Sequence, residues 1–300
     1  MKKISITILT IISFVACAPN SDSTSDELSI NYEKIELENG LNVIFHVDKS
    51  DPVIAVELMV HVGSAREIEG RTGFAHLFEH LLFLESENLG KGGLDKMSAR
   101  IGGSGANGST SRDRTNYLQT VPKDGLEKMI WAEADKLGYF INTVTDPVLA
   151  KEKQVVKNEK RQSYDNRPYG YNQYVIGKNL YPKDHPYNWQ VIGSLEDLQN
   201  ATLQDVKNFY KKWYVPNNAT LVLSGDIDIE QATKWVHRYF DEIPKGTEEI
   251  TALAKRPGFV KETKFIYYED NFARVPPVSY THLRAHETVL DLVCRLLLEK

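Results

Sequence analysis

The sequence is poor in sulfur and has no block of basic residues. Its two cysteines, Cys17 and Cys294, stand near opposite ends of the 300 residues, and neither belongs to a C-x-x-C pair. A disulfide framework and a thiolate metal site are thereby excluded. No Lys/Arg-rich run interrupts a formal net charge of −5, so the electrostatic footprint of a nucleic-acid-binding protein is missing and no nucleic-acid partner is expected. The apolar run from Ile4 to Val15 is too short to cross a bilayer as a permanent helix, and no internal repeat or low-complexity tract is visible.

What is present describes an ordinary globular chain, 41% hydrophobic and 26% charged, with enough apolar content for one large core or two modest ones. Lys2 and Lys3, the apolar run and then Ala16 follow the layout of a signal peptide over residues 1–16. Phe14-Val15-Ala16-Cys17 resembles a bacterial lipobox, in which the cysteine is lipidated and becomes the new N-terminus; a conventionally cleaved or uncleaved signal is the alternative. The Ser/Asp/Thr-rich stretch from Ser21 to Ser29 reads as a flexible tether, which makes residues 17–31 a lipid-anchored linker. The expected address is the bacterial cell envelope, with a membrane contact through the lipid on Cys17.

From Tyr32 the pattern turns to short alternating segments. Lys34–Leu37 and Leu41–Val47, separated by Glu38-Asn39-Gly40, read as a hairpin, and Val53–Val62 as a third strand. Thr72-Gly73 opens a helix over the apolar stretch Phe74–Leu84. Helical spacing returns over 125–140 and over 148–164, the latter opened by Asp146-Pro147. Thr115–Val121 and Ala219–Ser224 read as strands, Thr202–Trp213 and Ile229–Phe240 as helices, and Lys264–Asp270 as a strand opening a second unit. Strands and helices in separate runs predict an α+β fold, a mostly antiparallel sheet packed against helices in two layers.

His76-Leu77-Phe78-Glu79-His80 is H-x-x-E-H, the inverse of the commoner zinc-protease order. Positions i, i+3 and i+4 of a helix share one face, so two imidazoles can each give a nitrogen to one Zn²⁺ while Glu79 reaches the water beside it. Glu152 and Glu159 are seven residues apart, two turns up one side of the next long helix. Neither has a lysine at i+4, and their neighbours at i±3 and i±4 include Val148, Leu149, Val155 and Val156, with Lys151, Lys153, Lys157 and Lys160 elsewhere. Carboxylates on an apolar stripe without lysine partners point to a buried cation.

At these residues the chain resembles the pitrilysin and insulinase-like metallopeptidases, a group that includes the mitochondrial processing peptidases, and the resemblance runs from about Tyr32 to Pro276. Seventy-eight residues lie between His80 and Glu159; the resemblance makes Glu159 the third zinc ligand, Glu152 a support for the histidines and Glu79 the catalytic base. It implies an endopeptidase acting on extended peptides. Ala106-Asn107 and Thr115-Asn116-Tyr117 resemble the family's substrate-docking edge strand, to which a peptide adds by main-chain hydrogen bonds. Arg167-Pro168-Tyr169-Gly170, His185-Pro186-Tyr187 and Ile192-Gly193-Ser194 also look familial and read as structural. Family members carry a further homologous domain, or a partner subunit, that closes over this one. Residues 32–250 are then the zinc domain and 251–277 a linker and the start of a truncated second one. A non-catalytic, chaperone-like subunit of the same fold is the alternative function.

Two other features are set aside. Gly103–Gly108 fits G-x-G-x-x-G, but a helix-like segment precedes it and a strand follows, the reverse of a dinucleotide fingerprint. Residues 278–300 depart from the family, and Ser279–Thr288 resembles translated sequencing-adapter read-through, so His282, His286 and Cys294 are given no role; a genuine helix, from the spacing of Val289, Leu290, Val293, Leu296 and Leu297, is the alternative. His46, His61, His185 and His237 stand alone and are assigned nothing.

Overall fold

A computed structural model describes residues 29–252, 264–275, 277–279 and 294–297. The expected signal peptide, Cys17 and most of 278–300 lie outside the described residues. Six strands make one sheet, in the order β1 (Glu33–Glu36), β2 (Asn42–Val47), β6 (Ala219–Gly225), β3 (Val53–Val60), β5 (Thr115–Pro122) and β4 (Asn107–Thr110). Every neighbouring pair is antiparallel except β2 with β6.

The strands alternate because one face of the sheet is covered. Val43, Leu221, Leu58 and Tyr117 stand side by side in register across four strands, and all four are fully buried. The hairpin from β1 to β2 turns at Gly40, whose φ of 86° suits glycine. Asn39 beside it donates to the carbonyls of Phe240 and Ile243 at 2.8 and 3.0 Å, which ties the turn to the end of α8 (Ile229–Phe240).

The other helices are α1 (Phe74–Leu84), α2 (Gly93–Arg100), α3 (Leu126–Tyr139), α4 (Asp146–Lys160), α5 (Asn172–Leu180), α6 (Leu195–Asn200) and α7 (Leu203–Trp213). The last is closed at its start by a reciprocal pair between Thr202 and Asp205. The fold is α+β, as expected, but α5 and α6 have no counterpart in the sequence reading. The long helix expected to reach Tyr164 is regular only to Lys160, and Arg161–Asp165 widens into a π-helical turn. The Lys160 ammonium closes that turn on the Asp165 carboxylate at 3.0 Å and donates to the Tyr171 hydroxyl at 2.9 Å.

β7 (Lys264–Tyr267), β8 (Val278–Ser279) and β9 (Cys294–Leu297) form a separate three-stranded sheet in the order β7-β9-β8. Cys294–Leu297 is extended, so the helical spacing expected of Leu296 and Leu297 is not expressed there. Among the described residues no helix is long and apolar enough to cross a membrane.

Candidate metal centre

Helix α1 is held by its apolar face. Phe74, Ala75, Leu77, Phe78, Leu81 and Leu82 are buried, and the Phe78 ring lies 5.0 Å from the Tyr214 ring and 5.2 Å from that of Phe209. The 3.6-residue period then turns His76, Glu79 and His80 together to the other side. The helix entry is equally constrained. Gly73 takes a φ of 89°, and a Cβ on it would stand 2.7 Å from the Ile192 carbonyl oxygen, so the glycine permits the 192–193 loop to close on α1.

Two acids secure that entry. The Glu67 carboxylate accepts from the Gly73 and Ala75 amides at 2.9 Å each, answering the orphan donors and positive end of the helix. Burial pushes its carboxyl up to about 8, against the pull of those amides. Asp197 accepts from the Thr72 hydroxyl at 2.6 Å and its amide at 3.0 Å.

Helix α4 lies against α1. Glu159 brings one carboxylate oxygen to 3.6 Å from His76 Nε2 and the other to 3.1 Å from His80 Nε2. Glu152, two turns earlier, stands 3.4 Å from His80 Nδ1. One ligand atom each from His76, His80 and Glu159 all fall within 4.8 Å of one another, the one such grouping of three among the described residues. Bonds of about 2.0–2.1 Å in a tetrahedron put neighbouring ligand atoms about 3.3 Å apart. The donor chemistry and the two short separations therefore fit Zn²⁺.

The protonation of the pair is unequal. Burial depresses His76 to about 4, against the attraction of Glu159, so its ring is neutral at neutral pH. Hydrogen bonds to Glu152 and then Glu159 lift His80 to about 9, so a proton on that ring stands in for the positive charge the acids call for. Glu159 is itself held below its ordinary value by the hydrogen bond with His80. His76 Nδ1 is buried with no hydrogen-bond partner, whereas His80 is oriented from behind by Glu152.

Glu79 sits beside this group with one oxygen, Oε2, accepting from the Thr110 hydroxyl at 2.5 Å. Burial raises its carboxyl, while Thr110 and His80 pull it back and Glu159 raises it further. Thr110 is on β4, the edge of the sheet.

Comparison with known proteins identifies the family. Residues 42–177 match the family model described as Insulinase (Peptidase family M16), and residues 200–276 match that of the Peptidase M16 inactive domain. This chain belongs to the M16 peptidase family. Zinc protease PqqE of Helicobacter pylori is 35% identical to the M16 chain over 229 residues, covering 75% of this chain and 51% of that protein. A crystal structure of a protease from Helicobacter pylori superposes with a TM-score of 0.75 at 30% identity, covering 82% of this chain and 59% of that one. The periplasmic protease PqqL from Escherichia coli shares the fold, with a TM-score of 0.72 at 21% identity over 84% of this chain and 28% of that one. The M16 chain thus spans about half the length of the first of these relatives.

Not every expected site residue of the M16 chain lies where the sequence reading put it. Asn107 begins the edge strand β4 and Ala106 precedes it. Thr115, Asn116 and Tyr117 are on β5, which is hydrogen-bonded on one side to β3 and on the other to β4, so they offer no free backbone edge. Tyr117 is wholly buried, with its hydroxyl 3.1 Å from that of Tyr214. On α4 the stripe also differs: Lys157 and Lys160 are buried and Val155 is 40% exposed. Long stems explain it, since the Lys157 ammonium reaches the Gln199 side chain and that of Lys160 its own C-terminal turn.

Gly103–Gly108 follows α2 and runs into β4, the helix-then-strand order expected of it. His46 meets the Asn31 carbonyl at 2.9 Å, His61 the Thr220 hydroxyl at 3.1 Å and His237 the Asp241 carboxylate at 2.9 Å, each far from the cluster in role. The roles that sequence reasoning did not assign are those of Thr110, as the partner of Glu79, and of Glu67. The alternation of β4, with Ser109 outward and Thr110 half-buried, is the signal that marks the former.

Proposed function

We propose that this chain is the catalytic part of a zinc-dependent endopeptidase that hydrolyses peptide bonds of extended peptides or small proteins. The convergence of His76, His80 and Glu159 beside the Glu79 carboxylate carries the reading. His76, His80 and Glu159 would hold Zn²⁺, with Glu152 keeping the His80 ring in place through Nδ1. Bound there, zinc supplies Lewis acidity, polarising the scissile carbonyl and bringing the pKa of water to about 7.

The remaining work belongs to the chain's own groups. Thr110 holds Glu79 Oε2, which leaves Oε1 to take the proton of the attacking water and return it to the leaving amine. The free side of β4, entered at Ala106 and Asn107, offers main-chain donors and acceptors to an extended peptide. A second homologous domain, in the parent polypeptide or a partner subunit, closes over this one and is needed for full activity. The signal-peptide layout ahead of Cys17 and the periplasmic relative support export to the cell envelope, with a lipid on Cys17 as the anchor.

The alternative, a non-catalytic binding subunit, has no use for Glu79 poised beside three metal donors. In the parent protein, Glu79→Gln is expected to retain zinc by elemental analysis and to lose peptide cleavage by about a thousandfold or more. Turnover that survives the substitution removes the base from the mechanism.

A further inference from the structure

A cavity of about 420 Å³ opens at the tip of the hairpin between β4 and β5, with Ser111, Arg112, Asp113, Tyr164, Tyr174 and Tyr187 in its wall. It adjoins the metal centre from two sides. Ser111 directly follows Thr110, the partner of Glu79, and Tyr164 stands five residues beyond Glu159 on the π-helical turn.

Arg112 is the cation of this cavity, and it is held firmly. Its guanidinium carbon lies 5.1 Å from the Tyr187 ring centre and 5.9 Å from that of Tyr181. Its Nη2 rests against Gly177, where a Cβ would come within 3.1 Å of it. Yet its hydrogen bonding is incomplete: Nε is buried with no partner, and no carboxylate among the described residues lies within ion-pair distance of it. The one acid in the wall, Asp113, is engaged by the Tyr187 hydroxyl, 2.6 Å from both of its oxygens. A guanidinium packed by aromatic rings, short of acceptors and open to a cavity is pre-organised for a planar anion that can take two parallel N–H donors.

We propose that this cavity is a side-chain subsite selecting an aspartate or glutamate in the substrate, its carboxylate paired with Arg112. The inference rests on the peptidase reading of the neighbouring centre. A peptide laid along β4 advances about 3.3 Å per residue, so one position of it, or two adjacent ones, meets the cavity.

Binding tests this without turnover. The 300-residue chain is stripped with EDTA and titrated by fluorescence anisotropy with fluorescein-labelled octapeptides of Ala and Ser. Each carries one Glu, moved through every position, and each has a Gln twin. At one position or two adjacent positions the Glu peptide is expected to bind about tenfold tighter than its twin. Arg112→Gln brings that ratio to about one, while Arg112→Lys, which keeps the charge without the fork, falls between. Arg114→Gln serves as the control, because that neighbouring cation is already engaged by Ser109 and Asn116; it leaves the ratio intact. Equal binding of the twins at every position, or a preference that survives both Arg112 variants, overturns the subsite. Twins that differ in binding while the parent protein cleaves nothing would fault the peptidase reading and leave the subsite standing.

Discussion

On α3 the wholly buried Glu133 meets Lys136, one turn along the same helix, at 2.8 Å, and Gln119 from β5 donates to it at 3.3 Å. On α4, Glu152 and Glu159 meet no lysine. They face His76 and His80 of another helix, at 3.1 to 3.6 Å. What separates the two regions is the source of positive charge. In the first region the Lys136 ammonium supplies the positive charge from within the chain. An imidazole pair, one ring neutral and one held protonated only by its acids, answers that charge incompletely and with the donor atoms that suit a divalent cation.

The contrast can be broken most severely at Glu159. Glu159→Gln is expected to weaken zinc binding at least about a thousandfold, since one of three protein ligands and its charge are lost; equilibrium dialysis against buffered zinc reads it, and folding stability in EDTA stays near the parent value. Breaking the other region gives the reverse pattern. Lys136→Met leaves Glu133 buried without a cation and is expected to cost about 3–5 kcal/mol in denaturant unfolding, with zinc stoichiometry unchanged, whereas adding Glu133→Gln recovers most of the loss. If Lys136→Met stripped the metal instead, the two regions would not be independent.

Smaller changes sharpen the comparison. Glu152→Gln keeps all three ligands and removes only the acid behind His80, so zinc affinity falls about 10–100-fold. Thr110→Val has the smallest expected effect, a loss of about tenfold or less in kcat. Its sign is fixed: the Thr110 hydroxyl lowers the Glu79 carboxyl, so removing it raises that group, and the acid limb of the pH–rate profile moves to higher pH. A limb that moves downward would contradict Thr110 as a partner of the ionised base.

Much of the centre was legible in the chain because its first half is contiguous. H-x-x-E-H needs only helical geometry to bring His76, Glu79 and His80 to one face, and the seven-residue spacing does the same for Glu152 and Glu159. Strand and helix types followed from alternation and from apolar spacing, and β1, β2, β3, β5, β6, α1, α7 and α8 lie close to where those patterns put them. What escaped depends on partners distant in sequence. That β4 and not β5 is the edge follows from β5 pairing with β3, which no local pattern encodes. The burial of Lys157 and Lys160 depends on Gln199 and on a turn that departs from regular helix. Helices α5 and α6, nine and six residues long, are too short and too polar to show a periodicity of their own.

X-ray absorption at the zinc edge of the purified, zinc-loaded chain bears most directly on the two-helix centre. The expected spectrum is one zinc per chain with two imidazole nitrogens and carboxylate oxygen at about 2.0–2.1 Å, altered by Glu159→Gln. A chain that takes up no stoichiometric zinc, or a ligand shell that Glu159→Gln leaves unchanged, would contradict it.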